Sequence, residues 1–441
     1  MKSKLIESSF TVGIAGTFDV NNYGDCLFPV IYRELLSRFH PNTVIKYYSP
    51  TGELAEIVKL DSITSLPDTR EKAASAFHDL DAYILAGGET LSIGHGLGTY
   101  ILPKETFSHS LRLWLAPLIS LSEKSRPHIS FHCVGAQAMP EKIQSNIGHM
   151  LSRCSYISVR DIHSRIKLEK ANCHSDLAAD PVLLSSDLWS AEYWQKTADN
   201  CLPLELKGKK YLLAQISLPY LQNDLSEWCD EIGKIARKLD AEILLLPICL
   251  FLHDLIVLKS AKKILKQKGI NAFIVEKKLD VLQTTSLFEG CAGYVGSSLH
   301  GGVVALSFAK PFALLGKGAK GKHNSVMEAL RIPNITAYNI SEISNHFDNC
   351  IKQNMHELSD KAKQRALNDF HQLITKLRSP TPNRSSEIDI TKLVEEICKL
   401  DRSEIEGVTN SLKRFLFKFT KNTQSLGGIY FYLLNKFRKQ I

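Results

Sequence analysis

Ten cysteines occur in this sequence, but no two stand at a spacing that would chelate a metal. Cys26, Cys133, Cys154, Cys173, Cys201, Cys229, Cys249, Cys291, Cys350 and Cys398 are scattered singly, without a Cys-x-x-Cys pair, which excludes zinc-ribbon and thioredoxin-type motifs. Several lie in apolar runs such as Ile248-Cys249-Leu250, where a reduced thiol packs as a small hydrophobe, as expected of a cytoplasmic protein. Long hydrophobic runs are also missing. The most apolar stretch, Ile243 to Leu252, is broken by Pro247 and falls well short of the ~20 residues that cross a bilayer. Glu7 and Asp19 interrupt any early apolar stretch, so no export signal is expected. Acidic residues are absent from Leu412 to Ile441, which holds seven basic ones, so the other 411 residues carry only +1 of the net +8. A basic tail on a nearly neutral body argues against a general nucleic-acid-binding surface. No repeat of solenoid period is visible.

What is present is ordinary globular composition, with 44% hydrophobic and 23% charged residues. At 441 residues the chain is about three ~150-residue units long, enough for two domains and appendages. Strand-length β-branched runs alternate with stretches of helical length, the pattern of parallel α/β sheets. One set of strands covers Thr11–Ala15, Val44–Tyr48, Ala82–Ala86, Ile129–Val134 and Tyr156–Val159; a second covers Tyr211–Ile216, Glu242–Leu246, Ala272–Val275, Gly293–Val295 and Phe312–Leu315. Residues 190–209, with Asp199, Asn200, Pro203 and Gly208, show little periodicity and read as the connection. The expected fold is α/β, with two Rossmann-like domains (1–195 and 205–335) facing one cleft. A helical segment (336–378), centred on a long polar helix over Ile340–Leu377, and a linker with a tail (379–441) follow.

Four strand ends carry polar or glycine-rich loops, which is where an open α/β sheet holds its ligand. Gly16 to Asp25 leads into a helix with Leu27, Val30, Ile31 and Leu35 on its apolar face and Asp25 as its expected N-cap. Its loop can bring backbone N–H groups and Asn22 to a ligand, or it can simply turn the chain. Gly87 and Gly88, after Ile84-Leu85-Ala86, permit close backbone approach or a tight turn. Arg160 follows the strand Tyr156–Val159 and can grip a carboxylate or phosphate, or pair with Asp161 or Asp180 in a structural network. The richest segment is Gly296-Ser297-Ser298-Leu299-His300-Gly301-Gly302, where two hydroxyls, an imidazole and a helix N-terminus converge. Such a turn suits an anion, whereas an isolated histidine in an apolar fold is more often structural.

Taken in order, Asn22-Tyr23-Gly24-Asp25, Ala86-Gly87-Gly88, Val134-Gly135-Ala136, Val159-Arg160-Asp161 with Ser164, Asp180-Pro181-Val182-Leu183-Leu184 and Ser298-Leu299-His300-Gly301 with Ala305 and Lys310-Pro311 resemble the polysaccharide pyruvyl transferase family. The resemblance implies a GT-B-like fold and transfer of pyruvate from phosphoenolpyruvate onto two hydroxyls of a surface polysaccharide or lipid-linked glycan, forming a ketal. It implies His300 as general acid; the acceptor hydroxyl also needs a base, for which Asp25 is the candidate beside its reading as a helix cap. Arg160, Ser297, Ser298, Leu299 and Gly301 fall on the donor side; Asn22, Gly24, Gly87, Gly88 and His253 fall on the acceptor side. No metal or cofactor is demanded by that chemistry. One departure stands out: many members carry arginine where this sequence has Ser298, so Lys317, Lys320 or Lys322 would have to supply charge. A nucleotide-sugar glycosyltransferase of the same architecture, or a non-catalytic glycan-binding relative, is the alternative. Asp254, beside His253, would face the cleft or cap a helix.

In the tail, Leu412, Phe415, Leu416 and Phe419 recur at helical spacing and Tyr430, Leu433, Leu434 and Phe437 repeat the pattern, flanked by lysine and arginine. This composition fits an interfacial helix on an anionic membrane through 408–441, hence a peripheral location on the inner face of the membrane. Packing against the protein body or a second subunit fits it equally. Vesicle binding with and without 408–441 separates the two.

Overall fold

Strands of Val, Ile, Leu and Ala that are buried on both faces build two parallel sheets, because helices cover each sheet on either side. The computed structural model describes residues 10–93, 107–120, 127–137, 139, 144–221, 224–332, 334–378 and 390–403. The first sheet comprises β1 (Phe10–Ala15), β2 (Thr43–Ser49), β3 (Thr64–Ser65), β4 (Ala82–Ala86), β5 (His128–Val134), β6 (Tyr156–Val159) and β7 (Asp176–Leu177), in the order β3-β2-β1-β4-β5-β6-β7. The second comprises β8 (Tyr211–Gln215), β9 (Glu242–Leu245), β10 (Ala272–Ile274), β11 (Gly293–Gly296), β12 (Phe312–Leu315) and β13 (Thr336–Ala337), in the order β10-β9-β8-β11-β12-β13. Every recorded pairing is parallel. The strand order reverses between β1 and β4 and again between β8 and β11, and at these two points ligands bind in open α/β sheets.

The halves are joined at the loop after β1. Tyr23 N–H donates to the Ile248 carbonyl at 3.0 Å, and Asn22 and Cys249 form an isolated antiparallel bridge. The Tyr23 hydroxyl meets the Thr285 hydroxyl at 2.7 Å. One buried hydrophobic cluster runs across the junction, including Leu27 and Val30 from the first half and Val303 and Leu306 from the second.

Three local differences from the sequence reading have physical causes. The segment read as an irregular connection contains the helix Ala191–Cys201, capped by the Ser190 hydroxyl and anchored by buried Trp194 and Ala198. In place of one long polar helix there are two, Ile343–Ile351 and Met355–Arg378. The second returns to the first half: Asp369 Oδ2 accepts the Ala179 N–H at 2.7 Å, and Arg365 Nη2 donates to the Leu177 carbonyl at 2.9 Å. Edge strands β3, β7 and β13 have two residues each, too short to show alternation. A helix over 390–403 buries Leu393, Val394 and Ile397 in the core of the first half. The linker Ser379-Pro380-Thr381-Pro382-Asn383 and the basic stretch 408–441 lie outside the described residues. Among the described residues no helix is long and apolar enough to cross a membrane.

Candidate active site

Both sheet-reversal points open onto one cavity of about 590 Å³ between the halves. Thr17 and Asp19 come to it from the end of β1, Glu89 from β4, Ser217 from β8, and Ser297 and Ser298 from β11. Arg160, His300, Asp25, Asn22, Leu299 and Lys322 also line it.

Arg160 reaches the cavity because β6 ends at Val159 and Asp161 immediately caps the helix Ile162–Lys170. Asp161 spends its carboxylate on that cap, accepting from Ser164 N at 2.9 Å and Ser164 Oγ at 2.6 Å, and also from Ser325 Oγ at 3.0 Å. The guanidinium therefore pairs with neither Asp161 nor Asp180. Its Nη2 donates to Glu89 Oε2 at 3.2 Å, and its side chain is only 2% exposed. Nε and Nη1 are buried with no partner. Burial weakens the charge, but Glu89, Asp180 and Asp161 outweigh it and hold the group above its ordinary pKa. A buried donor left unmade costs about 1–3 kcal/mol. Two such donors on a fixed cation in a cavity wall are organised for an anion.

His300 enters from the other half, in the first turn of the helix Leu299–Ser307. Its Nε2 lies 3.4 Å from Asp180 Oδ2. Asp180 opens the 3₁₀ turn Pro181–Leu184 and accepts the Val182 N–H with Oδ1 at 2.9 Å. Burial pushes the Asp180 carboxyl up, but His300, Arg160 and the Val182 N–H prevail and leave it below the ordinary carboxylate range. Phe28 meets the imidazole edge to face at 5.5 Å. Gly24 packs on the ring so closely that a Cβ there would lie 1.9 Å from Nδ1.

The Ser297-Ser298 turn is held from below. Gln215 Oε1 accepts the N–H groups of Ser297 and Ser298, both at 3.0 Å, while its Nε2 donates to Asp254 Oδ2 at 2.8 Å. Ser297 Oγ accepts the Ser217 N–H at 3.0 Å. Ser298 is the N-cap, its hydroxyl accepting the Gly301 N–H at 3.3 Å. The donor-side glycine thus gives its N–H to the cap. Ahead of it, the N–H groups of Leu299 and His300 sit in the first turn, where an α-helix supplies no partner. Asp254 is fully buried and neither caps a helix nor faces the cleft. It accepts from Ser217 Oγ at 2.7 Å and from the Cys249 N–H at 2.8 Å, and burial foremost raises its pKa to about 6 despite those bonds.

Asp25 is not the N-cap of its helix. Tyr23–Phe39 begins two residues earlier with Asn22 at the cap position, and Asn22 Nδ2 donates to Asp25 Oδ2 at 2.7 Å. Asp25 is thereby half-buried in the cavity wall. Gly24, Gly87 and Gly88 do not line the cavity. Gly87 (φ 57°) makes room for the Phe28 ring, which a Cβ would approach to 2.1 Å, and a Cβ on Gly88 (φ 74°) would lie 3.4 Å from Asp25 Oδ1. His253 (φ 62°) belongs to a neighbouring cavity of about 610 Å³, which shares Asp19, Val20 and Phe251 with the first. Of the three lysines offered as replacement charge, Lys322 alone lines the main cavity, while Lys317 sits over the Tyr220 ring at 4.9 Å. Burial and then the Arg160 charge push Lys322 below its ordinary pKa, against the pull of Glu89 and Asp25. Sequence reasoning missed Glu89 as the partner of Arg160 and Asp180 as the partner of His300. Only the Gly-Gly-Glu and Asp-Pro junctions hinted at either.

The model of a family described as polysaccharide pyruvyl transferase matches residues 22–316. No curated protein matches the chain. Among solved structures, a Listeria monocytogenes protein described as a candidate UDP-N-acetylglucosamine 2-epimerase superposes with a TM-score of 0.53 at 11% identity, over 86% of this chain and 99% of that one. The UDP-bound S. aureus protein MnaA gives 0.51 at 10% identity, over 86% and 100%. A UDP-GlcNAc 2-epimerase from Methanocaldococcus jannaschii gives 0.51 at 12%, over 83% and 99%. At such identities the likeness is one of fold: two facing α/β halves of GT-B type with a helical C-terminal part.

Proposed function

This chain belongs to the polysaccharide pyruvyl transferase family, and we propose that it takes pyruvate from phosphoenolpyruvate and closes it as a ketal across two hydroxyls of a surface polysaccharide or lipid-linked glycan. The observation that carries the reading is the buried Arg160 guanidinium, with Nε and Nη1 unpartnered, in the cavity that also holds His300. A small acid with both a carboxylate and a phosphate matches such a wall: Arg160 binds one group bidentately, while Lys322 and the Leu299 and His300 N–H groups receive the other. Lys322 then serves where other members use an arginine before the Leu-His pair.

The reaction needs a proton at the methylene carbon and stabilisation of the leaving phosphate. His300 gives the proton to the methylene, making a methyl group and a cation-like C2. A sugar hydroxyl adds to C2 and loses its proton to Asp25. The C2–O bond to phosphate then breaks with the cation that holds the phosphate stabilising its charge, and the second hydroxyl closes the ring. Two hydroxyl protons leave in all; one replaces the proton spent on the methyl, and the other departs with phosphate.

The test is phosphate release from phosphoenolpyruvate with the native glycan fraction as acceptor, alongside thermal shifts with phosphoenolpyruvate and with UDP-sugars. Expected are release coupled to a new ketal methyl signal in the proton spectrum, loss of both in His300→Ala, and a melting shift with phosphoenolpyruvate alone. A shift only with UDP-sugars, or full release by His300→Ala, overturns the reading.

A further inference from the structure

We propose that Asp180 is a positioning residue for the transfer: reaching across from the first half, its carboxylate fixes the ring and tautomer of His300, so that Nε2–H is held and Nδ1 is the nitrogen that delivers the proton. This rests on the reading of His300 as the acid.

The geometry leaves little freedom. Asp180 is 2% exposed and is pinned on both sides: Oδ1 accepts the Val182 N–H, and the Ala179 N–H is held by Asp369 from the helix Met355–Arg378. Its Oδ2 is sealed from solvent, and the group it faces is His300 Nε2 at 3.4 Å. Nε2 is sealed as well, so the 9% exposure of the imidazole side chain falls on the rest of the ring. Nδ1 lies on the opposite edge, against Gly24, one residue from Asp25 in the cavity wall.

A carboxylate is acceptor-only, so it selects the tautomer with hydrogen on Nε2. In the imidazolium both nitrogens carry hydrogen, and the proton free to move is then on Nδ1. When Nδ1 releases it to the methylene carbon, the ring is left in the neutral Nε2–H form already facing Asp180, with no rearrangement. At 3.4 Å the two atoms face each other without yet forming a hydrogen bond; catalytic contacts of this kind often tighten only when the donor is bound.

The same geometry supplies the discriminating variant. In Asp180→Asn the Val182 N–H still needs an acceptor, so the amide oxygen stays at Oδ1 and the NH₂ faces His300. Nε2 must then accept, and the neutral ring shifts to Nδ1–H, the wrong form. Nitrogen NMR of the full chain labelled at histidine, with His300 identified by the signal lost in His300→Ala, is expected to show Nε2–H in the neutral ring of the wild type and Nδ1–H in Asp180→Asn. Phosphate release with the native glycan fraction should fall on the order of 10⁴-fold in kcat, with KM for phosphoenolpyruvate changed less than about threefold, since Arg160 is untouched. A wild-type ring protonated at Nδ1 overturns the proposal without any variant, so a folding failure of Asp180→Asn leaves it decidable. Wild-type kcat in a folded Asp180→Asn overturns it as well. If the tautomer inverts as expected but His300→Ala turns over normally, it is the reading of His300 as the acid that fails.

Discussion

The imidazole of His300 rests on a residue without a side chain. Gly24 lies in the first turn of Tyr23–Phe39, and its φ is not positive, so nothing in the backbone asks for glycine there. The demand is steric, because a Cβ would stand 1.9 Å from Nδ1 and 2.4 Å from Cγ of His300. A backbone-borne methyl cannot swing aside as a long side chain would. The helix would tolerate alanine and even favour it by about 0.8–1.0 kcal/mol, so the ring must move instead. Gly24→Ala is therefore expected to keep the melting temperature within a few degrees while kcat for phosphate release falls about 10²-fold, the scale of a misplacement near 1 Å. Calorimetry beside a phosphate assay checks both halves; unchanged turnover would show that the ring is not poised where it must be for chemistry.

At the scale of elements, the loop after β9 and the turn after β11 are coupled through one buried carboxylate. Asp254 holds the Ile248 and Cys249 N–H groups at 3.3 and 2.8 Å, and through Gln215 it supports the Ser297-Ser298 turn. Ile248 and Cys249 are also the residues that meet Tyr23 and Asn22 across the junction. Asp254→Ala orphans four donors in a closed interior, so a loss of about 3–5 kcal/mol in unfolding free energy by urea titration is expected. A loss below about 1 kcal/mol would mean water replaces the carboxylate. None of this was legible in the sequence, where Asp254 looked like a cap or a cleft residue. Strands of four or more apolar residues, such as β4 and β12, were legible because burial on both faces writes itself as an unbroken run. Two-residue strands carry no period, and β3, β7 and β13 were missed for that reason. The sequence puts the cap of the helix starting at Tyr23 three residues late, at Asp25 instead of Asn22, because Asp25, a typical cap residue, sits in its first turn. Arg160 and His300 were legible as candidates, since each stands where a strand ends. Their partners were not: Asp180 and His300 are 120 positions apart, and the turn that carries Asp180 is placed by helices from distant parts of the sequence, among them Met355–Arg378.

At the scale of the whole molecule, the fold buries His132 and His323 and half-buries His109, and their protons tie stability to pH. Burial, with the Arg112 charge for His109, holds His109 and His132 near 4; for His323, burial and then the Lys322 charge hold it near 3, against the bond to the Ser297 carbonyl at 2.9 Å. In the unfolded chain each takes up a proton near 6.5. The unfolded state therefore binds more protons below that pH, and stability falls as pH drops from 6.5 toward each folded value. Asp254 works in the opposite sense, since its pKa of about 6 lets the folded chain hold a proton that the unfolded chain releases above about 4. His128 shifts in the same sense as these three imidazoles, and Asp19 and Asp369 in the same sense as Asp254, so the histidine contribution is best read one residue at a time. His323 isolates one of the three, because the side-chain amide of His323→Gln can still donate to the Ser297 carbonyl without titrating. The unfolding free energy of the wild type minus that of His323→Gln should fall by about 1.4 kcal/mol for each pH unit from 6 to 4 and level off near the folded value. Urea titrations of both proteins at pH 7, 6, 5 and 4 measure it. A difference that stays constant would mean that the ring accepts its proton inside the fold, and that the contact between the helix Lys322–Ala329 and the Ser297 turn opens before the chain unfolds.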